Sequence, residues 1–240
     1  MAQIVWGDRC YQNLAAYLHG LRDTDKKIGI VAKPCDVRAV AQYVLEKQLK
    51  KENIFVIGVE CRGMVDGNGH PRPGCDDCAV RKPPVYDAYV KDPVVDGIDP
   101  ALHTAAADGL NENYTKFKTE IDKCILCFAC RQACYGCYCK ECFIERDLPD
   151  WQPASIDEGT KMTFHMGRAM HLAGRCVECG ACEASCESGV DVRYIIKNVT
   201  GFIKDEYGYS AGMDPEQAPA LLTYKTDDRE AGFLGGDSHG

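Results

Sequence analysis

The apolar residues of this chain are arranged in short runs at first and in helical stripes later, and that change sets its organisation. Ile28-Gly-Ile-Val-Ala32 is a continuous apolar run between charge and Lys33-Pro34, the pattern of a buried strand. From Asp36, the residues Val37, Val40, Ala41, Val44, Leu45 and Leu49 recur at helical spacing, and Lys47, Lys50 and Lys51 suit the negative end of a helix dipole. Ile54-Phe-Val-Ile-Gly-Val59 is a second buried strand. Strand, helix and strand in roughly thirty residues make a βαβ unit, with parallel strands and a right-handed crossover. Ahead of it, Asp8 is placed to cap a helix that carries Cys10, Leu14, Tyr17, Leu18 and Leu21 on one face and ends near Gly20.

The second half is read from its breakers and stripes. Residues 91–120 hold Pro93, Gly97, Pro100, Gly109 and two Asn around Glu112, which reads as a linker with one short helix. Pro149, Trp151 and Pro153 mark a loop. Thr160 is then placed to cap a helix whose Met162, Met166, Ala169, Met170 and Ala173 share a face, ended by Gly174. The Met stripe is expected in the core, and His165 and His171 facing solvent or hydrogen-bonded. Asp191 caps a last helix with Val192, Ile195, Ile196, Val199, Phe202 and Ile203 inward, closed by Gly208 and Gly212. Beyond Tyr209, Pro215, Pro219 and a Gly-rich end show no periodic core signal and predict an extended tail.

Composition changes the picture in one respect. Of 240 residues, 45% are apolar and 27% charged, both ordinary, but sixteen are Cys. The N-terminus lacks a basic region followed by an apolar one, so no signal peptide is read, and no apolar run approaches a membrane span. The expectation is a cytoplasmic protein whose reduced thiols bind metal. A formal net charge of −8, before any metal cluster is counted, argues against a nucleic-acid partner.

The cysteines themselves are patterned. Cys124, Cys127, Cys130 and Cys134 form a C-x-x-C-x-x-C-x-x-x-C run, and Cys176, Cys179, Cys182 and Cys186 repeat it. This is the ligand spacing of a two-cluster ferredoxin, in which the fourth Cys of each run serves the other cluster. One [4Fe-4S] cluster then takes Cys124, Cys127, Cys130 and Cys186, and a second takes Cys176, Cys179, Cys182 and Cys134. Zinc is the plainer alternative, but structural zinc favours two separated C-x-x-C pairs or Cys/His mixtures. In the α/β part, Cys35 follows the first strand and Cys61 the second, at the carboxyl edge where open α/β sheets place their sites. Cys75-Asp-Asp-Cys78 supplies the other half of a third set, against the alternative that Cys35 and Cys61 are small buried hydrophobes. Cys137, Cys139 and Cys142 remain, one ligand short of a fourth cluster. Cys10 is the unassigned thiol that could reach them, unless it belongs to the α/β set and the triplet takes a non-Cys ligand or none.

The fold expected is α/β plus α+β: a small βαβ-containing N-terminal domain followed by a dicluster ferredoxin domain with a helical insertion and an extended C-terminal tail. In numbers, 1–90 is the α/β cluster-binding domain, 91–120 the linker, 121–208 the ferredoxin-like domain with insertion 137–175, and 209–240 the tail.

Residues 124–186 resemble dicluster ferredoxins, with Tyr135 and Glu187 standing where Pro commonly follows the fourth Cys. Residues 28–90, with Lys-Pro-Cys35-Asp-Val-Arg and Gly-Val-Glu-Cys61-Arg-Gly-Met64, resemble the iron–sulfur beta subunits of deazaflavin-reducing hydrogenases and formate dehydrogenases. In that family the two Cys help hold a cluster and a flavin often sits nearby. Here the ferredoxin part follows the α/β part, and the absence of a G-x-G-x-x-G turn weighs against FAD. The resemblance implies an electron-transfer subunit in an anaerobic oxidoreductase acting on formate, hydrogen or a one-carbon unit, with catalytic and other electron-transfer subunits as partners. No nucleophile, acid/base pair or open metal position marks a self-sufficient catalyst. The rival is a flavin-containing reductase subunit that passes electrons to a deazaflavin or nicotinamide.

Overall fold

The computed structural model describes residues 7, 9–91, 110–145 and 155–224. The expected cap Asp8, most of the linker, the loop with Pro149, Trp151 and Pro153, and residues 225–240 lie outside the described residues.

The βαβ unit forms where the apolar runs place it. Strands β1 (Ile28–Ala32) and β2 (Ile54–Val59) pair in parallel, Ile28 opposite Ile54, across helix α1 (Pro34–Leu45). A third strand, β3 (Ala88–Val90), extends the sheet in parallel beyond β2. Its three residues are too few to show a period, and the sequence analysis did not find it. Pro34 opens α1 at a position that needs no amide donor, and Asp36 bonds the Lys33 amide at 3.1 Å. The helix stops at Leu45, ahead of Lys47 in the left-handed region at φ 57°, so the three lysines and Leu49 lie beyond it. Leu49 is still buried.

Other expectations are corrected. The N-terminal helix is a 3-10 helix over Leu14–Leu21 capped by Asn13, whose Oδ1 accepts from the Ala15 amide at 3.0 Å; Cys10 precedes it. Helix α2 (Leu110–Asp122) occupies the end of the expected linker and is longer than foreseen; it packs on α4, with Ile121 fully buried. The short helices α3 (Ala129–Gln132) and α5 (Ala181–Ala184) carry the third Cys of the two runs, Cys130 and Cys182, and pack together. Helix α4 (Glu158–His171) is capped by Asp157, not Thr160: the carboxylate accepts from the Thr160 amide at 2.8 Å. Its inner face is Phe164, His165, Arg168 and Ala169; of the expected stripe, Ala169 and Ala173 are buried and Met162 packs against the core, while Met166 and Met170 face out, 53% and 62% exposed. Asp191 does cap helix α6 (Val192–Tyr207), but Phe202 is 57% exposed.

A further correction concerns residues 209 onward. Tyr209 and Ala211 are buried in the same apolar cluster as Val37, Val40, Tyr43 and Val56, so the segment begins as part of the core. The Tyr209 hydroxyl donates to Gln42 Oε1 at 2.8 Å, and Arg38 Nε donates to the Ala211 carbonyl at 3.0 Å. That cluster also takes in Tyr135, Ala173, Val177 and Ile203, so one core spans the α/β half and the cysteine-rich half. Replacing Tyr209 by Ala should therefore cost about 3–5 kcal/mol of stability, and by Phe about 1 kcal/mol, in denaturant unfolding of the full chain. A Tyr209→Ala protein as stable as the parent would return the segment to a loose tail.

Candidate metal centres

The two cysteine runs adopt the same backbone. The second and fourth residues after the leading Cys lie in the left-handed region in both: Leu126 (φ 55°) and Phe128 (φ 59°) after Cys124, Glu178 (φ 58°) and Gly180 (φ 72°) after Cys176. Three of these are not Gly, and each such residue costs about 1–2 kcal/mol, so the conformation is held by something. It turns amides onto sulfur. Leu126 N lies 3.3 Å from Cys124 Sγ, and Glu178 N lies 3.3 Å from Cys176 Sγ. Val190 N adds a 3.4 Å contact to Cys186 Sγ, and in the α/β half Gly63 N stands 3.4 Å from Cys61 Sγ. Amides aimed at sulfur favour thiolate and tune an attached metal.

All sixteen Cys are free thiols, and they group. Cys134 of the first run lines one cavity with Cys176, Cys179 and Cys182 of the second. Cys124 faces Cys186 and Cys127, while Cys130 faces Cys182, Cys124 and Cys186. Cys35, Cys61, Cys75 and Cys78 line a cavity of about 500 Å³ at the carboxyl edge of the sheet, with Cys179 in its wall. Cys137, Cys139 and Cys142 line a third cavity of about 430 Å³, and Cys10 does not border it. Among the described residues no three Cys, His, Asp or Glu side chains stand close enough to hold a single metal ion. Four thiolates on one zinc would lie about 3.8 Å apart, given Zn–S bonds of about 2.3 Å in a tetrahedron. A cubane places each ligand on a different iron and needs them wider apart. The donor chemistry, thiol sets with amides on their sulfurs, fits an iron–sulfur cluster.

Burial pushes several of these thiols up, to about 11 for Cys61 and Cys130 and about 12 for Cys179, so each of those would hand over a proton on binding metal. Cys134 goes the other way: the neighbouring Cys137 thiol lowers it, and Cys137 is raised in turn. Sequence reasoning missed the groups that set this environment. Arg168, 4% exposed, donates Nη2 to the Cys130 carbonyl at 3.1 Å and sets its charge among the sulfurs of Cys134, Cys182, Cys137 and Cys130. His165 beside it is 3% exposed, and burial and the Arg168 charge lower its imidazole to about 4, so it is neutral at pH 7 and not solvent-facing. Lys33 and Asp36 form a buried ion pair at 2.9 Å around Cys35, and the only sequence hint was a cation and an anion flanking a Pro-Cys. Asn13 bridges to the same place, donating to the Cys35 carbonyl at 3.4 Å.

The α/β loop and the second run meet backbone to backbone. A Cβ on Gly180 would lie 1.7 Å from the Pro73 carbonyl oxygen, and one on Gly74 would lie 2.7 Å from that of Glu178. Arg193 clamps the contact, reaching Asp76 at 3.2 Å and Asp77 at 2.8 Å, and Arg38 Nη1 donates to the Val177 carbonyl at 3.1 Å. This is why Cys179 borders the α/β cavity. Gly180→Ala should therefore cost about 3 kcal/mol or more and open residues 71–78 to limited proteolysis. Gly189→Ala, also at positive φ but with no atom within 4 Å of its Cβ, should cost only about 1–2 kcal/mol. Equal losses in the two variants would show that the close approach contributes nothing.

No protein-family model matches the chain. Curated relatives do, among them two beta subunits. One is the F420-dependent formate dehydrogenase subunit beta of Methanocaldococcus jannaschii, 23% identical over 295 aligned positions covering 81% of this chain and 76% of the relative. The other is the F420-dependent formate dehydrogenase 1 subunit beta of Methanococcus maripaludis, 24% identical over 296 positions covering 82% of this chain and 76% of the relative. With the likeness running through most of both partners, the chain resembles the beta subunits of formate dehydrogenases.

Proposed function

We propose that the chain is the iron–sulfur electron-transfer subunit of a formate dehydrogenase-type oxidoreductase, relaying single electrons between a catalytic subunit and a further acceptor. The observation that carries this is the crossing of the runs: Cys134 stands with Cys176, Cys179 and Cys182, and Cys186 with Cys124 and Cys130. In this reading two [4Fe-4S] clusters use those eight thiols, a third uses Cys35, Cys61, Cys75 and Cys78, and Cys137, Cys139 and Cys142 are left for a fourth. Such clusters supply one-electron steps. The chain's own residues position and tune: amides of Leu126, Glu178, Val190 and Gly63 hold the sulfurs, and buried Arg168 offsets thiolate charge in a chain already at −8. Contact between residues 73–74 and 178–180 keeps the third set beside the second, within one wall of side chains. No helix among the described residues is long and apolar enough to cross a membrane.

A second reading, a flavin-containing subunit that delivers electrons to a deazaflavin, draws on the F420 dependence in the relatives' names and on the cations Lys33, Arg38, Arg81, Lys197 and Lys204 around the α/β cavity. An absorbance and fluorescence spectrum of the supernatant after mild denaturation separates the two, since flavin is released and iron–sulfur clusters bleach.

Two outcomes test the leading reading. In Cys186→Ser the paramagnetic signal that changes should belong to the cluster of Cys124, Cys127 and Cys130, although Cys186 lies in the other run; a change confined to the cluster of Cys176, Cys179 and Cys182 rejects the crossed allocation. In Arg168→Gln, loss of a buried positive charge should lower the reduction potential of the cluster holding Cys182 by on the order of 100 mV, with iron content kept. Arg168→Lys should restore most of the difference in an EPR-monitored redox titration.

A further inference from the structure

We propose that Cys137, Cys139, Cys142 and His171 form a fourth iron–sulfur site, a [4Fe-4S] cluster held by three thiolates and one imidazole. The inference rests on the cluster-relay reading above and replaces Cys10 as the missing ligand. Residues 136–145 lie along α4, fastened at both ends. A Cβ on Gly136 would meet Leu172 Cδ2 at 2.7 Å, and at the other end a Cβ on Gly167 would meet Phe143 Cζ at 2.7 Å. The Phe143 ring packs edge-on against His171 with centroids 5.1 Å apart, so the residue after Cys142 touches the imidazole directly. The three thiols between the fastened ends and His171 border one cavity of about 430 Å³.

Among the described residues no hydrogen bond engages the His171 ring, which is exposed and free to ligate. The other His of that cavity is committed: His19 Nε2 lies 2.8 Å from the Tyr135 carbonyl and its ring packs against Tyr43. Cys10 belongs to another neighbourhood. Its successor Tyr11 borders the α/β cavity, stacked under Arg72 at 3.8 Å, and Asn13 bonds the Cys35 carbonyl. The cations Arg131, Lys140 and Arg175 border the triplet's cavity, each paired with a carboxylate, Glu145, Asp23 and Glu46 in turn, so the thiolates would share these partners. Loading would remove three thiol protons. A neutral imidazole in place of a thiolate makes the cluster less negative and raises its potential, as His ligation does in Rieske centres.

The test is made on the full chain, purified anaerobically and reconstituted with iron and sulfide. The parent should bind about sixteen iron and sixteen sulfide, four of each per cubane. His171→Ala and Cys139→Ala should each fall to about twelve iron, while Cys10→Ala stays at about sixteen. His171→Cys should keep about sixteen iron, lose a nitrogen hyperfine coupling from the pulsed-EPR spectrum of the reduced protein, and shift one midpoint potential downward. A parent with about twelve iron, a His171→Ala protein with unchanged iron and nitrogen coupling, or loss of four iron in Cys10→Ala each overturns the proposal. A parent with no iron–sulfur spectrum at all would overturn the relay reading itself, and the two failures are distinct.

Discussion

A left-handed turn of backbone, made twice, is the constraint on which this protein depends. At Leu126, Phe128 and Glu178 an L side chain is held where sterics oppose it, and only Gly180 of the four positions escapes the penalty. The conformation wraps the chain so tightly that sulfurs three residues apart face one space and the intervening amides point at them. A helical or extended run with the same spacing would scatter the thiols to different sides. The short helices α3 and α5 then start at once and pack on one another, which sends the fourth Cys of each run toward the opposite loop. Cost and return are local and repeated, so the two runs read as one device used twice.

The single Gly among the four positions has a separate reason. Gly180 is where the α/β loop lands, with no room for a Cβ, whereas Phe128 at the matching position turns its ring onto Phe164 with centroids 5.1 Å apart. One copy of the device faces the α/β half and the other faces α4. The asymmetry between two near-identical motifs is thus the mark of which one is docked.

What the sequence revealed follows from length and period. Buried strands announce themselves as unbroken apolar runs, so β1 and β2 were legible, and the Cys spacing marked the two runs as one repeated motif. Helix faces were harder. On α4, Met162, Met166 and Met170 and the set Phe164, Ala169 and Leu172 are both helically spaced, and only the neighbours decide which turns inward. Helix α2 is polar at most positions and shows its inner side only at Phe117 and Ile121, too little for a pattern to register. Tyr209 and Ala211 carry no period at all, being held by Gln42 and Arg38 about 170 residues away in the chain. Arg168 was visible as a helical Arg, but nothing local says that it is buried against sulfur.

The contact of Pro73 with Gly180 has a consequence for how the protein is made. Chains leave the ribosome from the N-terminus, so Cys35, Cys61, Cys75 and Cys78 emerge about a hundred residues before the surface that receives their loop. During that interval four thiols sit on an unfinished wall, open to oxygen and to adventitious metals. In the cluster-relay reading, delivery of iron and sulfide to them has to wait until the C-terminal run has closed that wall.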